Sequence, residues 1–313
     1  MIVLPPWLQG VYADLSATLV AARLPHALLI HGSGGWGETL LAEALALRLI
    51  ERDSNDDAAA AVLAHPDLRW IVPEGAGEQI GIDAIRSVAE FVVRTPQIAP
   101  RKVAVFTSAD AMNTHAANAL LKTLEEPPPD SYLILVTDSL RDLLPTIRSR
   151  CRLVPVRPAD VTTARAWVHR QLPDANAEQI TALCFEHGGA PYRVVAAMEH
   201  DEQPIAGELC EVALGRCDPL VLAETWSKAA TPVDLIDRWL RYLLRVMGQR
   251  YAITVANADV LTATLSKATD RQLFVMWDAL ARDRQLLRGT TNPNARLLFE
   301  TRLLAWRDLA RAL

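Results

Sequence analysis

A chain of 313 residues, half of them apolar, is long enough for two or three domains with separate cores. A formal charge of -5 excludes a molecule built as a whole to be drawn onto phosphate backbones, although a local basic patch is compatible with it. No apolar run reaches the roughly 18 to 20 residues that span a bilayer, and the start, MIVLPPWLQG, lacks the charged-then-apolar layout of a secretory signal, so a cytoplasmic location is expected.

Residues 26–31, HALLIH, form a short apolar run that leads through a glycine-rich loop into TLLAEALALRLIER, whose apolar positions recur every three to four residues. This predicts strand, loop and helix. The stretch DSNDDAAAAV reads as a surface connection. Strands are predicted at 68–72, 102–108, 132–138 and 152–156, with helices at 82–93 and over NTHAANALLKTLEE, which Pro127, Pro128 and Pro129 terminate. Short β-rich runs alternating with helices imply a parallel sheet covered on both faces.

From Val161 onward the periodicity is helical, broken by Gly188-Gly189 and by Pro204. The expected division is a sheet domain over 1–159, a small helical domain over 160–205 and a larger helical domain over 206–313. Trp167, Trp226, Trp239, Trp277 and Trp306 are expected to fill helical cores. Cys151, Cys184, Cys210 and Cys217 contain no C-x2-C pair. Cys184 and His187 alone do not close a zinc site, so neither a metal site nor a disulfide framework is expected.

The loop HGSGGWGET, His31 to Thr39, carries the chemistry. A phosphate-binding loop reads Gly, four residues, Gly, Lys, then Ser or Thr. Gly32, Gly37 and Thr39 are in place, with Gly34 and Gly35 between them, but the lysine position holds Glu38. One carboxylate about 4 Å from one phosphate charge costs about 4 kcal/mol at an effective dielectric near 20. A hydrolytic site of this kind also ends its next inner strand with acids that hold magnesium. Here Thr107 and Ser108 stand at the strand end and Asp110 comes later. A loop no longer used in hydrolysis, and vacant, is therefore expected, against the plainer reading of a tight turn. Arg148, Arg150 and Arg152, taken by themselves, read as solvated charges before a strand.

HALLIHGSGGWGET, NALLKTLEEPP (118–128) and LVTDSLRDLLPTIRSRC (135–151) together resemble the clamp-loader branch of the AAA+ ATPases. The resemblance covers the first 160 residues strongly and the helical remainder more loosely, where TNPNARLLFETRLL looks like the family's ending. It implies an α/β, RecA-like AAA+ domain, a helical lid and an all-helical collar. It further implies the stator of a hetero-pentamer with delta and gamma/tau subunits, which loads a sliding clamp onto primer-template DNA for a polymerase holoenzyme, with no ATPase activity of its own and no membrane.

On the same basis Arg150, flanked by Ser149 and Cys151, would be an arginine finger acting on ATP-Mg in a neighbouring subunit. Thr137 lies where the first sensor would be, and Arg193 lies near the second. The helix from Asn118 to Glu126 would relay between site and DNA, or simply pack well, with Lys122 facing phosphate or solvent. Many family members carry a four-cysteine zinc module after the first helix. The corresponding RDSNDDAAAAVLAHPD has no cysteine, so no zinc is expected. The competing expectation is a self-sufficient AAA+ ATPase that tolerates Glu38.

Overall fold

The computed structural model describes residues 2–51, 65–73, 79–228, 232–250, 268–288 and 293–311, so the connection expected at 53–62 lies outside the described residues. The five predicted strands form: β1 (Ala27–His31), β2 (Leu68–Ile71), β3 (Lys102–Phe106), β4 (Ser131–Thr137) and β5 (Arg152–Pro155). They make one parallel sheet in the order β2-β3-β4-β1-β5, with Leu29 opposite Leu135 on one side and Leu153 on the other. All five positions of β3 are buried, as a strand covered on both faces requires.

Alternation along β1 separates two cores. Leu28 and Ile30 face the side covered by α1 (Pro6–Val20) and α2 (Glu38–Leu49), together with Leu41, Leu45 and Val136. Leu29 faces the other side, with Phe106, Leu120 and Leu135, beneath α3 (Ile82–Val93) and α4 (Thr114–Glu125). Helix α1 was not anticipated from the sequence. Its proline stands in the first turn, where the lost amide hydrogen has no intrahelical partner to miss. Helix α4 is capped by Asn113, whose side chain accepts from the Ala116 amide at 2.9 Å, and it ends before the prolines.

At the sheet end opposite the glycine loop, the buried Asp67 carboxylate accepts hydrogen bonds from the amides of Gln97, Ile98 and Ala99 at 2.8, 2.7 and 2.9 Å, and from Lys102 Nζ at 3.2 Å. Burial alone raises its pKa, but these donors outweigh it and bring the group down to about 2. The Lys102 ammonium lies 4.2 Å from the Phe91 ring centroid.

The chain packs as two units, residues 1–167 with 190–192, and residues 168–189 with 193–313. After the one-turn α5 (Pro145–Arg148), the remaining described elements are helices: α6 (Val161–Gln171), α7 (Ala177–Glu186), α8 (Pro191–Glu199), α9 (Ile205–Ala213), α10 (Pro219–Ser227), α11 (Pro232–Arg250), α12 (Asp270–Arg288) and α13 (Ala295–Arg311). Trp226, Trp239, Trp306, Tyr242 and Phe299 fill the second unit's core, with Trp277 packed against it.

Beside that core lies a buried ion pair. Arg238 donates from Nε and Nη2 to Glu186 Oε2 at 2.9 and 2.6 Å, and also pairs with Glu202. Glu186 in turn accepts from the Ile205 and Ala206 amides at the start of α9, at 3.1 and 3.2 Å. No described helix is long and apolar enough to cross a membrane.

Candidate functional site

The glycine loop leaves β1 at the carboxyl end of the sheet, where the Gly32 amide donates to the Thr137 carbonyl at 3.3 Å, and it feeds directly into α2. Amides converging at a helix N-terminus make an anion site. In this chain the anion is its own. The buried Glu38 side chain folds back so that Oε1 accepts from the Gly34 amide at 3.1 Å and Oε2 from the Trp36 amide at 2.9 Å. A Cβ on Gly32 would run into Glu38 Oε1, so a residue with any side chain there would displace the carboxylate. The charge at position 38 by itself predicts a carboxylate beside the cradle, repelling phosphate. The structure puts it inside, on the amides a phosphate would use.

The loop is also clamped from outside. Trp7 Nε1 donates to the Trp36 carbonyl at 2.8 Å, and the two rings meet edge to face at 6.0 Å. Trp7 meets Trp167 at 5.7 Å, Trp167 meets Tyr192 at 4.8 Å, and the Tyr192 amide donates to the Gly35 carbonyl at 3.1 Å. Burial pushes the Tyr192 hydroxyl up to about 12. Gly37, at φ +93°, leaves no room for a side chain: a Cβ would lie 2.9 Å from Leu8 and 3.0 Å from Tyr192. Trp167, expected in a helical core, belongs to this cluster instead. Trp36, a bulky ring inside a glycine loop, was the sequence signal for it.

The neighbouring polar groups are engaged with one another. Thr137 Oγ1 donates to Asp110 Oδ1 at 2.9 Å and accepts from the Ser139 amide at 3.1 Å. Asp110 therefore reaches Thr137 from a 3-10 turn beyond β3. Thr107 Oγ1 donates to the Ile71 carbonyl, while Thr39 and Lys122 are exposed. Arg193 lies in the second unit, its Nη1 3.9 Å from Asp234. No group of three or more His, Cys, Asp or Glu side chains is placed to hold a metal among the described residues.

Arg150 stands apart from the loop's closed network, in the turn between α5 and β5. Its Nη1 donates to the Thr146 carbonyl at 3.0 Å and to Ser149 Oγ at 3.4 Å, and its Nη2 to Glu125 Oε1 at 2.5 Å. The side chain is 35% exposed and Ser149 is exposed, so the guanidinium is presented at the surface. Cys151 differs: it is buried in the core beneath α3 and α4, which pushes its thiol up to about 12 and leaves it no reactive thiolate. Arg148 donates inward to the Leu140 carbonyl at 2.9 Å.

A family model described as "DNA polymerase III, delta subunit" matches residues 8–160. The DNA polymerase III subunit delta' of Pseudomonas aeruginosa is 33% identical, with 97% of each chain covered. The subunit of the same name from Escherichia coli is 30% identical over 96% of this chain and 94% of that one. A solved DNA polymerase III gamma-subunit-related protein from Thermotoga maritima is 19% identical, covering 95% of this chain and 100% of that one, at a TM-score of 0.48.

Proposed function

The chain belongs to the DNA polymerase III delta' family and is a clamp-loader component, and from that premise we propose that it works by lending a guanidinium to a neighbour while hydrolysing no ATP itself. In this reading residues 1–159 are the AAA+ part, 160–205 the lid and 206–313 the collar. They stand in a hetero-pentamer with gamma/tau and delta subunits that loads the sliding clamp onto primed DNA in the cytoplasm. Gly32, Gly34, Gly35, Gly37, Glu38 and Thr39 are a nucleotide loop taken out of use. Arg150 acts on ATP-Mg held by the adjacent gamma/tau subunit.

One observation carries the reading: the loop amides of Gly34 and Trp36 are committed to Glu38, whereas Arg150 is held, among the described residues, by the exposed Thr146, Ser149 and Glu125. A guanidinium is always charged, and its planar fork suits the charge that spreads over a phosphoryl group in transfer. Such a finger contributes about 10³ to 10⁵ in rate. The chemical role of the protein is then electrostatic and depends on assembly.

The experiment is reconstitution with the partner subunits. Arg150→Ala is expected to lower the assembled complex's ATPase rate tenfold or more, and the purified chain alone is expected to show none. Turnover by the lone chain that Thr39→Ala abolishes would overturn the reading in favour of a self-sufficient ATPase.

A further inference from the structure

Arg150 is not idle while it waits. Its closest partner, Glu125, is the last residue of α4, twenty-five positions earlier in the chain. A carboxylate at that position is unfavourable by itself, because the carboxyl end of a helix carries partial negative charge. The Arg150 guanidinium compensates it, at 2.5 Å, while Thr146 and Ser149 hold the other guanidinium nitrogen. Both members of the pair remain open to solvent, at 35% and 51% exposure. The arrangement fixes the finger against its own subunit with contacts weak enough to exchange.

We propose that Glu125 is a positioning residue that parks Arg150, competing with the neighbour's triphosphate for the same guanidinium. The proposal rests on the trans-finger reading above. A carboxylate with one charge, screened at the surface, holds the arginine until a phosphate group of higher charge displaces it. Parking keeps the arginine folded toward its own chain when no triphosphate is present, and it makes engagement depend on the charge of the incoming group. An exposed pair of this kind contributes little, which sets the penalty on the neighbour's triphosphate affinity at up to about fivefold.

Glu125→Gln keeps the side chain's shape and removes its charge. In the assembled complex, labelled ATP is expected to bind the Glu125→Gln form two- to fivefold more tightly, with labelled ADP unaffected and the larger part of the kinetic change in KM rather than kcat. The gain is expected to vanish in an Arg150→Ala background, because the carboxylate acts only through the arginine. Unchanged or weaker ATP binding, a matching gain for ADP, or a gain that survives Arg150→Ala would overturn the proposal.

A second arm uses the lone chain and is independent of the ring. Phenylglyoxal labelling of Arg150, read on its peptide, should be faster in Glu125→Gln, and an unchanged rate would overturn parking. If labelling accelerates but Arg150→Ala leaves the complex's hydrolysis untouched, the trans role has failed and takes the proposal with it. If Arg150→Ala cripples hydrolysis and Glu125→Gln does nothing, parking alone has failed.

Discussion

Replacing Glu38 is expected to weaken the first unit rather than simply open a site. In Glu38→Ala the buried amides of Gly34 and Trp36 lose a carboxylate acceptor at 3.1 and 2.9 Å. Hydrogen bonds to charged groups contribute about 1.5–3 kcal/mol each. Water entering the emptied loop recovers part of that, leaving a loss of about 3 kcal/mol. At about 2–4 °C per kcal/mol for a unit of this size, the unfolding midpoint should fall by about 6–12 °C. Glu38→Lys should fall further, since it aims an ammonium at the same two N–H donors.

Both variants, however, turn the loop into a cradle that lacks an anion. Pyrophosphate should therefore raise their midpoints and leave the wild type unmoved. Anion at about a hundred times its dissociation constant would return about 2.7 kcal/mol. Thermal unfolding followed by circular dichroism, with and without pyrophosphate, reads both effects. A Glu38→Ala midpoint within about 1 °C of wild type, or equal stabilisation of wild type by pyrophosphate, would refute the idea that the carboxylate is the loop's own ligand.

Asp67, held at about 2 when folded against an ordinary value of 3.8, contributes stability that is present above about pH 4 and is lost as pH falls toward 2, amounting to about 2 kcal/mol. Urea midpoints at descending pH should show this loss in the wild type and its absence in an already weaker Asp67→Asn, whose Lys102 has lost its counter-charge. In the second unit, Glu186→Gln should cost about 3 kcal/mol in urea unfolding, because Arg238 stays buried with Glu202 as its remaining acid, and a paired Glu186→Met, Arg238→Met change should recover only part of it, since the Ile205 and Ala206 amides then lose their acceptor.

The sheet was legible because buried parallel strands read as unbroken apolar runs: HALLIH and KVAVF announce themselves without their neighbours. Helix α1 was not, since Pro5 and Pro6 read as punctuation although proline is welcome in a first turn. At the loop the sequence shows the sign of the charge at position 38 but not the direction in which the side chain turns. That direction depends on the left-handed turn at Gly37 and on the absence of a Cβ at Gly32, both properties of the folded backbone. The return of residues 190–192 to the first unit, and the pairing of Arg150 with Glu125, join positions far apart in the chain, and no local pattern encodes either.

The rings around the loop also make it optically visible. Trp7 meets Trp36 at 81° and Trp167 at 70°, with ring centroids 6.0 and 5.7 Å apart, close enough for their excited states to mix, and the Trp36 amide and carbonyl are held by Glu38 and Trp7, so a shift of the loop backbone carries the Trp36 ring with it. The second unit holds a separate triad, Trp226, Trp239 and Trp306, with successive spacings of 5.6 Å. Each half of the molecule thus carries its own chromophore. Near-ultraviolet dichroism of single-tryptophan replacements would resolve the two signals, and a displaced Glu38 would announce itself through Trp36 without any attached dye.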